Sequence, residues 1–317
     1  MMSETFRLRA LLLHGAVIGL LVVLWFVLPD YHRGIAPRIL LLSVFAMGYN
    51  LLFGYAGLLS LGHAMFFAAG LYGAGLPVYH LGWSVPVAFA AGLASGTVLA
   101  VTVGLLALRT TGVAFMIVTM MFSQVAYLST LYFTEFTRGD EGLVLDAAAR
   151  SLFGLDLTDP AVRYGLATGL FAVALFAILA LVQSPFGRVL VAIRENEERM
   201  RMLGYDTFRN KLAAIAVSGF FCAAAGAAYA LLFGYVGSTF ASIQYSILPL
   251  LWVLLGGAAT TLGPLIGTAF MFYVVDVTSG YTSAYLLVVG LALILLILFF
   301  PKGVLGTLRE KWLPWLP

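Results

Sequence analysis

The sequence predicts an all-α polytopic membrane protein, built as a single transmembrane domain over residues 1–317 with about ten transmembrane or broken helices. Three observations carry that prediction. Charged residues make up only 10% of the chain and hydrophobic ones 62%, where a soluble domain is about 25% charged. Mean hydropathy is +1.03. No Asp, Glu, Lys or Arg occurs from Ile39 to Leu108 or from Leu212 to Val275. A bilayer span needs about 20 apolar residues, so each of these stretches holds several. The 34 glycines suit close helix contacts in lipid. A net charge of +3 does not point to nucleic acid, because a small basic excess in a membrane chain reflects orientation. The single cysteine, Cys222, lies in an apolar run, which leaves no disulfide framework.

The first span, 11–28, follows the basic start "MMSETFRLR" and has no small-residue cleavage site before Pro29. It therefore reads as an uncleaved span and not as a signal peptide. Further spans follow at 36–54, 62–80, 85–108, 112–133, 162–182, 209–233 and 283–300. The piece 245–278 is too long for one upright helix, and "GGAATTLGPLIG" breaks it at Gly256, Gly257, Gly263 and Pro264. Basic residues stay on the cytoplasmic side: Arg7 and Arg9 put the N-terminus inside, Arg109 marks an inner boundary, and Lys302, Arg309 and Lys311 put the C-terminus inside. The loop 134–161, with six acids against two bases, fits the outer face. Two termini on one side require an even number of crossings, so 245–278 is expected to form two short segments. A second interrupted region, 47–70, carries Gly48, Gly54, Gly57 and Gly62 with the polar Asn50, Ser60 and His63. Irregular backbone at membrane depth is tolerated only where protein or a water-filled cavity surrounds it. A pair of interrupted segments, one in each half, points to a translocation site.

One stretch departs from this apolar body. Residues 188–211, "RVLVAIRENEERMRMLGYDTFRNK", hold six cations and four anions. Ser184 before Pro185 is a helix start and Gly204 a stop. Glu195–Arg199 and Glu197–Arg201 stand at i,i+4, pairs worth roughly 0.2–0.5 kcal/mol each. Val189, Ile193, Met200 and Leu203 fall on one stripe with Asn196 in its middle, and Asp206 or Thr207 can cap the next span. The segment 184–208 reads as an amphipathic cytoplasmic helix and its connection. It is either a solvated connector resting on the lipid interface or a docking element for a cytoplasmic partner.

Four motifs in order carry a resemblance. "GYNLLFGYAGLLSLGHAMFFAAGLYGAG", "GRVLVAIRENEERMRMLGYDTFRNKL", "LLGGAATTLGPLIGTAF" and "FFPKGVLG" resemble permeases of the branched-chain amino-acid type of ABC importer, the LivM-like subunits. The resemblance implies an ABC importer permease fold in a bacterial inner membrane. It implies four further components: a homologous second permease forming a heterodimer, two cytoplasmic ABC ATPases and an external solute-binding protein. It also places the ATPase-coupling helix within 188–204, including Arg194, Glu195, Asn196, Glu197, Glu198 and Gly204. Three departures stand out: Arg199 and Met200 where small residues are usual, Ala258, Ala259 and Thr260 within a run closer to "GGLGTLxGP" in the family, and "TRGDEGL" where "TGGxDGL" is common.

Asn50, Ser60, His63 and Gln124 are candidates for the translocation path. A lone histidine in a glycine-rich break is more often a satisfied structural group, and polar side chains such as Asn50 and Ser60 also bind helices together. Gln124 has Ser123 and Thr119 nearby. Asp276, in "DVTSGYTS", reads as an outer turn, and the RGD tripeptide at 138–140 as chance. No metal or catalytic site is expected: Glu195, Glu197 and Glu198 lie among arginines on a surface helix. A phosphate-cradling loop needs G-x-x-x-x-G-K-[ST], and the only lysines, Lys211, Lys302 and Lys311, lack that context. The chain is therefore expected to bind no cofactor, with ATP used by partner subunits. Open alternatives are the same architecture carrying urea, short amides or an aromatic or dicarboxylic acid, an ion-coupled secondary carrier, and a non-transporting scaffold. The charge deserts argue against the carrier, which needs buried ionisable relays.

Overall fold

The computed structural model describes residues 4–282 and 302–311 with isolated positions from 284 to 299, and side chains from Leu8 onward. The span expected at 283–300 is described only at those isolated positions, and the side chain of Arg7 lies outside the described residues. In chain order the helices are α1 (Glu4–Val27), α2 (Asp30–Asn50), α3 (His63–Leu81), α4 (Val85–Ala107), α5 (Val113–Tyr132) and the single turn α6 (Thr134–Thr137). Then come α7 (Pro160–Gln183), α8 (Pro185–Glu195), α9 (Glu197–Met202), α10 (Thr207–Phe233), α11 (Ile243–Gly256), α12 (Gly263–Ser279) and a C-terminal helix Gly303–Lys311.

Among the described residues seven helices are long and apolar enough to cross a membrane. The chain is an all-α polytopic membrane protein. The segment 245–278 does form two short helices, α11 and α12, of 14 and 17 residues. At 1.5 Å per residue α11 covers about 21 Å, less than the roughly 30 Å hydrocarbon core.

The centre of the bundle is α3, α4 and α10 packed on α2, and small residues allow their approach. A Cβ on Gly70 would sit 2.2 Å from the Ala223 carbonyl oxygen, and one on Gly226 would sit 2.0 Å from the Phe67 carbonyl oxygen. The backbones of α3 and α10 are thus as close as two helices can come, which is how apolar helices gain packing energy where lipid removes the hydrophobic drive. By contrast α1 and α5 present mostly exposed apolar faces.

The two ends of the bundle differ. One gathers 56–62, 108–112, 184–206, 257–262 and 303–311. The other is built from 134–161 and the ends of α1, α2, α10 and α12. There β1 (Leu143–Val144) pairs antiparallel with β4 (Tyr235–Val236), while β2 (Ser151–Leu152) and β3 (Leu155–Asp156) form a hairpin turned at Phe153–Gly154. Tyr31 donates to Asp276 at 2.5 Å at that end, and Asp276 stands in the last helical turn of α12 rather than in a turn beyond it.

Candidate functional site

The charged segment is a helix pair, not one helix. Ser184 Oγ accepts from Gly187 N and starts α8. Asn196 then leaves the helical region at φ −159°, ψ 95°, and its side-chain oxygen accepts from Arg199 N at 2.9 Å, capping α9. An asparagine that satisfies a free N–H of a new helix outcompetes continuation of the old one. This break separates Glu195 from Arg199, so Glu195 pairs with Arg194 at 2.7 Å instead. The other expected pair forms: Arg201 donates to Glu197 at 2.7 Å. Gly204, at φ +86°, ends α9, and Asp206 caps α10 through Arg209 N at 2.9 Å.

Leu190, Ile193 and Met200 are buried against the bundle, whereas Leu203 is 67% exposed and falls off the expected stripe. Glu195, Glu198 and Arg199 face outward. Glu197 turns inward to the ammonium of Lys211. Partial burial pushes the Glu197 carboxyl up, but Lys211, Thr207 and Arg201 together hold it below its ordinary value.

Arg194 leads into the bundle. Its guanidinium donates to the Gly54 carbonyl, at the five-residue π-helical turn Leu51–Tyr55 that closes α2. A Cβ on Gly57, at φ +72°, would sit 2.5 Å from Arg194 Cγ, so only glycine lets the arginine stem lie on this break. The π-turn leaves carbonyls without helical partners, and a cation with several donors suits them.

The two glycine-rich breaks then meet at Asn50, which is buried. Its Nδ2 donates to the Thr260 carbonyl at 2.8 Å, and its Oδ1 accepts from Ala259 N at 3.0 Å. Arg309 of the C-terminal helix donates to the Ala259 carbonyl at 3.1 Å, and Thr261 Oγ1 lies 2.7 Å from His14 Nε2 of α1. Side chains from α1, α2 and the C-terminal helix therefore satisfy the loop between α11 and α12, as irregular backbone at this depth requires. Ala259 itself stands at φ +57°, an unfavourable setting for a residue with a Cβ.

The remaining candidates form a second buried group. His63 has Nε2 2.9 Å from Ser218 Oγ and Nδ1 3.2 Å from Ser60 Oγ, and Ser218 Oγ donates to the Gly48 carbonyl at 2.6 Å. Leu61 N donates to Thr119 Oγ1 at 3.3 Å and Ala64 N to Ser246 Oγ at 3.0 Å, fixing the start of α3 to α5 and α11. The void touching Ser60 is about 10 Å³, room for one water at most. Gln124 is half-buried on α5 next to Ser123, whose Oγ lies 3.5 Å from Ser246 Oγ, but among the described residues it makes no hydrogen bond of its own to this network. Asn50, Ser60 and His63 are thus brought into the joints of the breaks, and Gln124 is not. Sequence reasoning missed His14 and Arg309. A lone histidine inside an apolar span was the available signal for the first; the second had none, since basic residues near a terminus are common.

The chain is similar to known proteins. A family model described as branched-chain amino acid transport system / permease component matches residues 31–299. The high-affinity branched-chain amino acid transport system permease proteins LivM of Salmonella typhimurium and Escherichia coli are each 28% identical, over 87% of this chain and 70% of the relative in the first, and 92% and 74% in the second. A probable branched-chain amino acid transport permease protein LivM of Methanocaldococcus jannaschii is 34% identical over 88 residues, 27% of this chain and 26% of the relative. No solved structure matches the chain. With one family model covering most of its length, this chain belongs to the branched-chain amino acid transport permease family.

Proposed function

We propose that this chain is the transmembrane subunit of an ABC importer, forming the path of a small polar solute, with branched-chain amino acids the leading substrate. Family membership supports the class. The observation that carries the mechanism is Arg194 tying the exposed pair α8–α9 to the first backbone break. In this reading the 184–206 end and both termini face the cytoplasm of a bacterial inner membrane, following the bias of Lys and Arg. The partners are a second, homologous permease, two cytoplasmic ABC ATPases and an external solute-binding protein. ATP is held on the ATPases, and this chain carries no cofactor.

ATPase closure pushes on α8–α9, where Glu195, Asn196, Glu197, Glu198 and Gly204 shape the docking surface. Arg194 passes the displacement to Gly54, and Asn50 passes it to Ala259 and Thr260. Packed helices move as rigid bodies about a few element-terminal residues, here the two breaks. Asn50, Ser60 and His63 act at the joints that give when the path opens, and Gln124 borders the path on α5.

The test is copurification from detergent with the bound chains identified, followed by ATPase activity of the assembled complex across candidate solutes. Stimulation by branched-chain amino acids above urea, short amides and aromatic or dicarboxylic acids is the expected result. Stimulation by another of these classes alone reassigns the substrate. Uptake that needs a proton gradient and not ATP removes the importer reading.

A further inference from the structure

A cavity of about 350 Å³ lies where the end of α1 meets the starts of α2 and α7, at the end of the bundle that carries 134–161. Trp25 of α1, Asp30, Arg33 and Gly34 of α2, and Asp159 and Arg163 at the start of α7 line it. Two cations and two acids make it neutral, but the charges are sorted. Arg33 and Arg163 are part-buried, whereas Asp30 and Asp159 are exposed. The cations therefore stand deeper than the acids.

Local structure keeps these charges apart. Asp159 and Arg163 stand at i,i+4, in the order that favours an ion pair on a helix. Asp159 instead caps α7, its Oδ1 accepting from Ala161 N at 2.7 Å. Arg163 donates from Nη2 to the Thr158 carbonyl at 3.2 Å, and its guanidinium lies 5.2 Å from the Phe233 ring. Arg38, 5.0 Å from the same ring, and Arg150 add like charge beside it, and the exposed Asp156 offsets less than either adds. Arg33 is held by the Trp25 ring, 5.3 Å from its guanidinium, and by the Leu28 carbonyl, to which its Nε donates at 2.7 Å. Its pair with Asp30, at 3.4 Å to a side chain 96% exposed, is a weak surface contact. Among the described residues Arg163 and Asp159 have no ion pair. Arg163 thus carries a half-buried charge among like charges, a setting that is costly unless an anion compensates it.

We infer that this cavity binds one small zwitterion, its anionic group against Arg163 and Arg33 and its primary ammonium at the mouth against Asp159 and Asp30. A carboxylate or phosphate supplies acceptors that match the planar guanidinium donors. An ammonium brings three donors, which suit the carboxylate oxygens that the cap leaves free. A lone anion would be repelled by the two acids at the mouth, and a lone cation by the arginines within. A free α-amino acid and the headgroup of phosphatidylethanolamine share the required chemistry. The site rests on the fold alone, and on neither ATPase coupling nor the cargo of the path.

The test uses the purified protein with its copurifying partners, stripped of lipid. Equilibrium dialysis reads labelled leucine, and native mass spectrometry reads phosphatidylethanolamine. At least one of the two should be retained at one per chain, and the one retained identifies the source. Analogues lacking one charge, isocaproate and isoamylamine for leucine or phosphatidylglycerol for the lipid, should bind about ten-fold less tightly or worse. Arg163→Gln and Asp159→Asn, the second of which keeps a cap on α7, should each weaken retention about ten-fold. Gly34→Leu should abolish it, because a Cβ there meets nothing within 4 Å and leucine suits a helix better than glycine. Leucine held by a copurified solute-binding protein survives these substitutions, so the part lost with Gly34→Leu is the part that counts. Retention of neither zwitterion, equal retention of the single-charge analogues, or zwitterion binding untouched by Gly34→Leu overturns the inference.

Discussion

Asn50 and Thr260 are 210 positions apart in sequence, yet the side-chain amide of the first lies 2.8 Å from the carbonyl of the second. This contact, with the return bond from Ala259 N, joins the breaks of the two halves. Asn50→Leu removes both bonds and leaves the buried Thr260 carbonyl unpaired, which costs about 1–3 kcal/mol, and the part-buried Ala259 N–H without its partner. The variant is expected to melt earlier in detergent and to lose uptake. A melting curve matching that of the unaltered protein would show that the joint carries no stability.

Arg194→Lys keeps the charge but loses the planar set of donors that reaches both Gly54 and Glu195. A hydrogen bond from a charged group is worth about 1.5–3 kcal/mol, so uptake per ATP hydrolysed should fall by roughly ten-fold or more. Basal ATPase activity of the complex should survive. Unchanged uptake per ATP rules out transmission through this residue.

Glu195→Lys combined with Glu198→Lys reverses charge on the exposed side of α8–α9 and also removes the surface pair of Glu195 with Arg194. Assembly with the ATPases should weaken at least about ten-fold, because like-charge juxtaposition costs several kcal/mol at an interface. Elution of the isolated subunit on gel filtration should not change. Full ATPase retention by this variant would remove the docking assignment.

Ala259→Gly addresses the strained backbone of the second break. A left-handed setting costs an L-residue about 1–2 kcal/mol, partly offset by the greater unfolded-state freedom of glycine. The variant should be more thermostable by about 0.5–1 kcal/mol, read as a higher midpoint in detergent.

Glu197 gives the pair α8–α9 a pH dependence of definite sign. Its carboxyl is held below the ordinary value of 4.5, so its contribution is complete above that value and lost as pH falls through the lowered one. A spin label attached beforehand through a cysteine introduced at Met202, which is 81% exposed, should therefore become more mobile below pH 4.5 as the pair loosens. Glu197→Gln should abolish the acid step.

Hydropathy made the spans from α1 to α10 legible, because a 20-residue apolar run has few other uses in a chain of this size. The two breaks were legible from glycine and proline, and the starts of α8 and α10 from Ser184 and Asp206. Local preference failed at Asn196, where a side-chain cap worth about 1 kcal/mol outweighs a surface pair worth a few tenths. The contacts of His14 with Thr261 and of Arg309 with Ala259 were not legible, since nothing local marks partners 247 and 50 positions away. The pairing of β1 with β4 escaped for the same reason, as two-residue strands carry no periodicity. For His63 and Asn50 a satisfied structural role was already legible as a reading, but their partners, Ser218 and Ser60 for the first and Ala259 and Thr260 for the second, were not.

With 14 residues, α11 leaves roughly 9 Å of a 30 Å hydrocarbon layer unspanned. Before it the chain runs through 234–242 as a short strand and a 3₁₀ turn rather than another helical turn. The wall beside α11 is therefore not continuous helix, and its irregular backbone must find partners in the surrounding protein.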